Sequence, residues 1–198
     1  MAGIKNTGKP VLARPGRICY NFGMKISEKT THHFVALILV VAGVFFRVMP
    51  HPDNFTPTSS IALFAGMSLP AGLALTVPLV LMVLSDMLIG FHSLTGLVWV
   101  SFLLIALFGI KIRARAGWGT VVMSSLAGSV FFFIVSNLGV FFVDKLYPMT
   151  WEGLAQCFFM ALPFFKSSLI ADALFTVVLF SAYFASARQG SAREIPQS

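Results

Sequence analysis

AGLALTVPLVLMVLSDMLIGFH, residues 71–92, carries one acidic residue, Asp86, in an otherwise apolar run. At about 1.5 Å of rise per residue the run is long enough to cross a hydrocarbon core of about 30 Å. Pro78 does not argue against a helix here, because membrane helices tolerate proline as a kink. The aspartate is the anomaly. A carboxylate in lipid costs about 2.5–3.5 kcal/mol on insertion scales, so Asp86 is expected to face the protein interior or a cavity and to have a partner.

The rest of the chain has the same character. Hydrophobic residues make up 57% and charged residues 11%, against about 45–50% and about 25% in soluble domains. The mean hydropathy is +0.87. These values exclude an ordinary soluble domain and indicate an integral membrane protein in contact with a lipid bilayer. The net charge of +7 does not point to nucleic acid, because most basic residues flank apolar segments, which is a topology signal. Cys19 and Cys157 offer neither a disulfide framework nor metal-ligand spacing. No cofactor and no metal site are implied.

The apolar segments predict an all-α fold, a bundle of six transmembrane helices at about 33–48, 58–69, 71–91, 94–110, 118–143 and 167–187. The second is short for a span. Between the last two lies DKLYPMTWEGLAQCFFMALPFFK, residues 144–166, in which Pro148 and Pro163 bracket a stretch with Trp151, Leu154 and Phe158 at helical spacing. It reads as a short interfacial helix. The domain layout is a basic N-terminal tail at 1–32, a membrane domain at 33–187 and a C-terminal tail at 188–198. Basic residues cluster before segment 1, in KIRARAG at 111–117, and after segment 6. Six spans put all three clusters on one face, and the positive-inside rule makes that face cytoplasmic. The expected location is the bacterial inner membrane, with both termini cytoplasmic.

In this topology polar groups gather near the outer boundary. Asp86 lies about five residues, or about 7–8 Å, from the outer end of its helix. Asn137 in SNLGVFF and Asp172 in SLIADALF lie at a similar depth, Arg47 ends the first helix and His92 ends the third. Two readings compete: a buried ion-pair network of Arg47, Asp86 and Asp172 that holds helices together, or the floor of a binding cavity open to the outside. Convergence at one depth favours the cavity, since structural glue need not be confined to one leaflet. Aromatic residues at this end suit a ligand site, which is typically apolar with a few placed polar groups. The candidate substrate-binding residues are Arg47, Asp86, Asn137 and Asp172, with Asn54, Ser85, His92 and Trp99 beside them. An enzyme is not expected: Asp86 and Asp172 lack the glycine-flanked context of intramembrane aspartyl proteases.

RVMPHPDNFTPTSSIALFAG, LSDMLIGFH, SNLGVFF and YPMTWEGLAQCFFMALPFF resemble a family of small, largely uncharacterised bacterial membrane proteins. Over about residues 33–187 the chain is in turn similar to the substrate-binding S components of energy-coupling factor (ECF) vitamin transporters. That resemblance implies an outward-facing cavity for a small vitamin-like or cofactor-precursor molecule, with Arg47 holding an anionic group and Trp99 stacking on a ring. It also implies an energising module as partner. Here the sequence departs from the pattern, because Ala36 is followed four residues later by Val40 where small residues usually repeat. Docking to such a module is expected to be weak or absent. The alternative function is a non-catalytic assembly or scaffold protein whose polar layer is structural.

Overall fold

A computed structural model of the chain describes residues 28–193, and the side chains of residues 29–186. The order is α1 (Glu28–Val48), α2 (Thr58–Ser68), α3 (Ala71–Ile89), α4 (Thr95–Ile112), a 3₁₀ turn (Arg113–Arg115), α5 (Trp118–Gly139), a π turn (Val140–Asp144) and α6 (Trp151–Arg193). No strand occurs among the described residues. Five helices are long and apolar enough to cross a membrane: Lys29–Val48, Ala71–Ile89, Thr95–Arg115, Trp118–Asp144 and Trp151–Ser186. The all-helical, multi-pass expectation holds at this level.

α2 is the centre of the bundle. Its sequence, TSSIALFAGMS, has no charged face, and nine of its eleven residues are buried. A helix that is apolar on all sides is stable only when surrounded, and α2 touches all five other helices. Its tightest crossing is with α4. A Cβ added to Gly66 would stand 2.2 Å from the Ala106 carbonyl oxygen, and one added to Gly109 would stand 2.8 Å from that of Leu63. Backbones approach this closely only where both side chains are absent, the usual means of packing helices in lipid. Gly43 of α1 instead makes room for a side chain of α3, with Leu81 Cδ1 2.0 Å from where its Cβ would be.

α5 and α6 run antiparallel. Trp118 meets Phe184 at 5.2 Å, Ser125 meets Thr176 at 3.0 Å and Phe133 meets Phe165 at 4.5 Å. The helix directions thus alternate along the chain. One end of the bundle gathers residues 47–58, 86–99 and 137–157; the other gathers 69–71 and 109–118, near Phe184. α3 closes at the first end on Gly90, whose φ of +109° favours a residue without a side chain.

One expectation needs correction. The interfacial helix and the sixth segment are one element: α6 runs 43 residues without a break and contains Pro163. Proline's fixed φ suits a helix, and the loss is one amide donor and some steric fit, which a membrane helix absorbs. At about 1.5 Å per residue α6 is about 65 Å long, twice the thickness of a hydrocarbon core. The second segment ends at Ser68, and about 16 Å of helix does not span by its own length. The tails expected at 1–32 and 188–198 lie mostly outside the described residues, as does Cys19; residues 28–32 and 188–193 are helical.

Candidate binding site

The site follows from the shortness of α2. At its Thr58 end no helix continues through the middle of the bundle. The chain arrives there as a turn-rich loop, residues 49–57, in which Pro50, Pro52 and Pro57 prevent regular helix and Asn54 adopts a left-handed φ of 60°. Phe55 of this loop lies edge-on to Phe175 of α6 at 6.1 Å, and Ser168 Oγ donates to the Asn54 carbonyl at 3.3 Å. The space beneath and beside the loop is a cavity of about 580 Å³. An adjoining cavity of about 240 Å³ shares Arg47, His51, Asn54, Phe132 and Ser168 with it.

The larger cavity has an aromatic wall from Phe132 and Phe133 of α5, Phe164 and Phe165 of α6, and Tyr147. Its polar groups are Arg47, His51, Asp53, Asn54, His92 and Asn137, with three serines and Cys157. Asn137 directs its amide to the Phe133 carbonyl of its own helix at 2.7 Å. The Asn137 carbonyl in turn accepts the Cys157 thiol at 3.6 Å. His92 sits where α4 begins; its backbone N–H donates to Thr95 Oγ1 at 2.9 Å, and its Nδ1 accepts from the Leu94 N–H at 3.2 Å.

The two buried aspartates are treated differently. Arg47 Nη2 meets Asp86 Oδ1 at 2.6 Å, with Asp86 1% exposed. The other carboxylate oxygen accepts the Trp99 indole N–H at 2.7 Å. Asp86 therefore has a full countercharge and two charge-assisted hydrogen bonds, the arrangement that makes a buried ion tolerable. Arg47 is not fully satisfied: its Nε is buried and has no hydrogen-bond partner, on a side chain that lines both cavities.

Asp172, 2% exposed, has hydroxyls instead. Ser129 Oγ of α5 donates to Oδ2 at 2.6 Å, and Ser60 Oγ of α2 lies 3.4 Å from Oδ1 and 3.1 Å from the Asp172 carbonyl. Thr176 Oγ1, one turn along α6, joins Ser60 at 3.1 Å and Ser125 at 3.0 Å. No ion pair involving Asp172 occurs among the described residues.

The eight expected residues thus separate. Arg47, Asn54, His92, Asn137 and Asp172 line the cavities. Asp86 and Trp99 stand behind Arg47, joined to each other, and Trp99 spends its N–H on Asp86. Ser85 is buried and returns its hydroxyl to the Leu81 and Met82 carbonyls of its own helix, at 2.8 and 3.1 Å.

A helical membrane chain with this cavity can be set beside known proteins. It belongs to a family of unknown function, DUF6580. The family's model matches residues 27–193. No curated protein and no solved structure matches the chain. DUF6580 membership therefore covers every described helix and brings no assigned activity.

His51 and the hydroxyls around Asp172 were not anticipated from the sequence of this DUF6580 chain. The signal for the hydroxyls is there: Ser125 and Ser129, like Asp172 and Thr176, are four residues apart, so each pair shares a helix face, and the two faces meet.

Proposed function

We propose that this protein is a membrane-embedded binding protein for the uptake of a small organic molecule, of the kind the S components of ECF transporters provide. The observation that carries the reading is the cavity of about 580 Å³ at the loop end of α2. Its volume is in the range of small-molecule sites, about 300–1,000 Å³, and an aromatic wall faces convergent polar groups that could orient a ligand. The Arg47 guanidinium, which lines both cavities and meets Asp86 through Nη2, supports a ligand that offers it an oxygen, as in a carboxylate of a vitamin-like or cofactor-precursor compound. The first half of α6 would form one side of the entrance in place of a separate lid.

In this reading α2 and its flanking residues form a sixth crossing, the cavity faces the outside of a bacterial inner membrane, and both termini are cytoplasmic. A topology reporter fused after Arg115 is expected to read cytoplasm, and one fused at Asp144 to read outside. Opposite readings would remove the sixth crossing. The protein is expected to act without an energising module. Ala36 and Leu39 of α1 are buried, and Phe34, Leu37, Ile38, Val41 and Phe45 cover its outer face, so that face lacks the small residues that close helix docking uses. Co-purification with transporter ATPases that depends on α1 would refute this.

The deciding experiment is thermal unfolding of detergent-purified protein against a panel of vitamins and cofactor precursors. A compound present at a hundredfold its Kd should add about 2.7 kcal/mol of stability. A second reading, a scaffold protein with a structural polar layer, is favoured by one observation: Asp86 is satisfied entirely within the protein. No stabilisation by any compound, together with normal folding, would select it.

A further inference from the structure

Asp172 carries the inference that goes furthest. Its carboxylate is bonded by hydroxyls of α2, Ser59 and Ser60, by the Ser60 backbone N–H and by Ser129 of α5, and Thr176, one turn along α6, is joined to it through Ser60. Hydroxyls supply dipoles and lone pairs but no charge. Arg47, which lines the same small cavity, is held at 2.6 Å by Asp86. His51 lines that cavity too, with its Nδ1 against the Pro52 carbonyl at 2.8 Å. Asp86 thus has a cation of its own and Asp172 has none among the described residues, although both are almost fully buried. Charges at membrane depth pair with one another or mark an ion or substrate path.

We propose that Asp172, with the hydroxyls of Ser60, Ser129 and Thr176, forms a site for one monovalent cation reached through the 240 Å³ cavity. The occupant is either a sodium-like ion or the ammonium group of a ligand. Hard cations take oxygen ligands, and the Ser129 and Ser60 hydroxyls lie 2.6 and 3.4 Å from the two carboxylate oxygens, close enough for a small ion to bridge hydroxyl and carboxylate. The Ser60 and Ser129 hydroxyls can each donate to the carboxylate and still offer a lone pair to the cation, while Thr176 orients Ser60. The count of charge sets the valence. A single carboxylate balances one positive charge, whereas a divalent ion would leave a net charge in a region of low dielectric. The inference is separate from the organic-ligand reading, because a cation at Asp172 is expected whether or not the larger cavity binds anything.

The test is the unfolding temperature of the purified protein at pH 8, with choline chloride replaced by sodium chloride or methylammonium chloride at constant ionic strength. A saturable rise with sodium, or with methylammonium, is expected over choline, and which of the two acts tells the free ion from the ammonium group. In D172N the rise should vanish. Should D172N fail to fold, S129A keeps the charge and removes one oxygen, and its apparent cation affinity is expected to fall about tenfold. Equal unfolding temperatures in all three salts would overturn the proposal, as would an unchanged cation response in D172N or S129A. A compound panel run in choline alone tests the larger cavity independently.

Discussion

The two ends of α2 are built on opposite terms. At the Gly66 end the helix backbone lies against that of α4, with no room for a single methyl group. At the Thr58 end, about 12 Å away along the same axis at 1.5 Å per residue, the surrounding helices part around two cavities. The difference teaches that the cavity is not a packing fault. A full-length central helix would have filled it, and a loosely held short one would let the bundle collapse inward. Glycine contacts at one end fix α2 firmly enough that the other end can stay open.

Substitutions can break this comparison. The largest effect is expected for Gly66→Leu, whose Cβ would fall 2.2 Å from backbone rather than from a movable side chain. Loss of more than about 4 kcal/mol is expected, seen as loss of monodisperse protein in size-exclusion chromatography. Gly128→Ala, whose Cβ would meet Ile105 at 3.8 Å, should be close to neutral. If both were tolerated equally, the closed end would not be what holds α2.

Next comes Asp86→Ala, which leaves the Arg47 guanidinium buried without its countercharge. Removing one partner of a buried pair costs about 3–5 kcal/mol, measurable as a fall in unfolding temperature. Asp86→Asn combined with Arg47→Gln should recover much of that loss in a double-mutant cycle; additive effects would show that the two side chains are not coupled. Trp99→Phe removes the indole N–H at 2.7 Å from Asp86 together with part of the ring's packing against the core. A hydrogen bond to a charged group is worth about 1.5–3 kcal/mol, so this variant should unfold earlier but remain folded at room temperature.

The smallest effect on stability is expected where the bundle is open. Ala161 of α6 lines the larger cavity. Ala161→Leu projects into space, so its unfolding temperature should shift by the equivalent of less than about 1 kcal/mol. Stabilisation by any compound that binds the wild type should nevertheless be lost. A large destabilisation would mean that this end is as tightly packed as the other.

Much of this architecture was legible because lipid imposes simple demands. Segments 1, 3, 4 and 5 were found to within a few residues from apolar length alone, apart from the start of the first, where helix extends back to Glu28. The Arg47–Asp86 pair could be anticipated because a buried carboxylate needs a cation and few were within reach. Asp172 was legible as a buried charge but not through its partners. Serine and threonine are common in membrane helices and often bond to their own backbone, as Ser85 and Ser101 do, so the sequence does not mark which ones turn to a neighbour. α6 was divided wrongly because Pro163 and the aromatic spacing before it imitate a surface helix. The bond from the Trp99 N–H to Asp86 likewise has no mark in the sequence, where the two residues lie on different helices.

The shortness of α2 also bears on how the chain is made. Eleven residues give a translocation channel too little apolar length to retain as a stop, so α2 is expected to enter the bilayer as a hairpin with α3, joined through Leu69 and Pro70. Its neighbours are then supplied in order of synthesis. Gly109 arrives with α4, Ser129 with α5, and Asp172 and Thr176 only with the last helix. Until α6 emerges, Ser60 faces lipid without the groups it bonds in the finished protein. A nascent chain that stops short of α6 should therefore be cleared by membrane proteases, and the final helix acts as the checkpoint on which assembly of the centre depends.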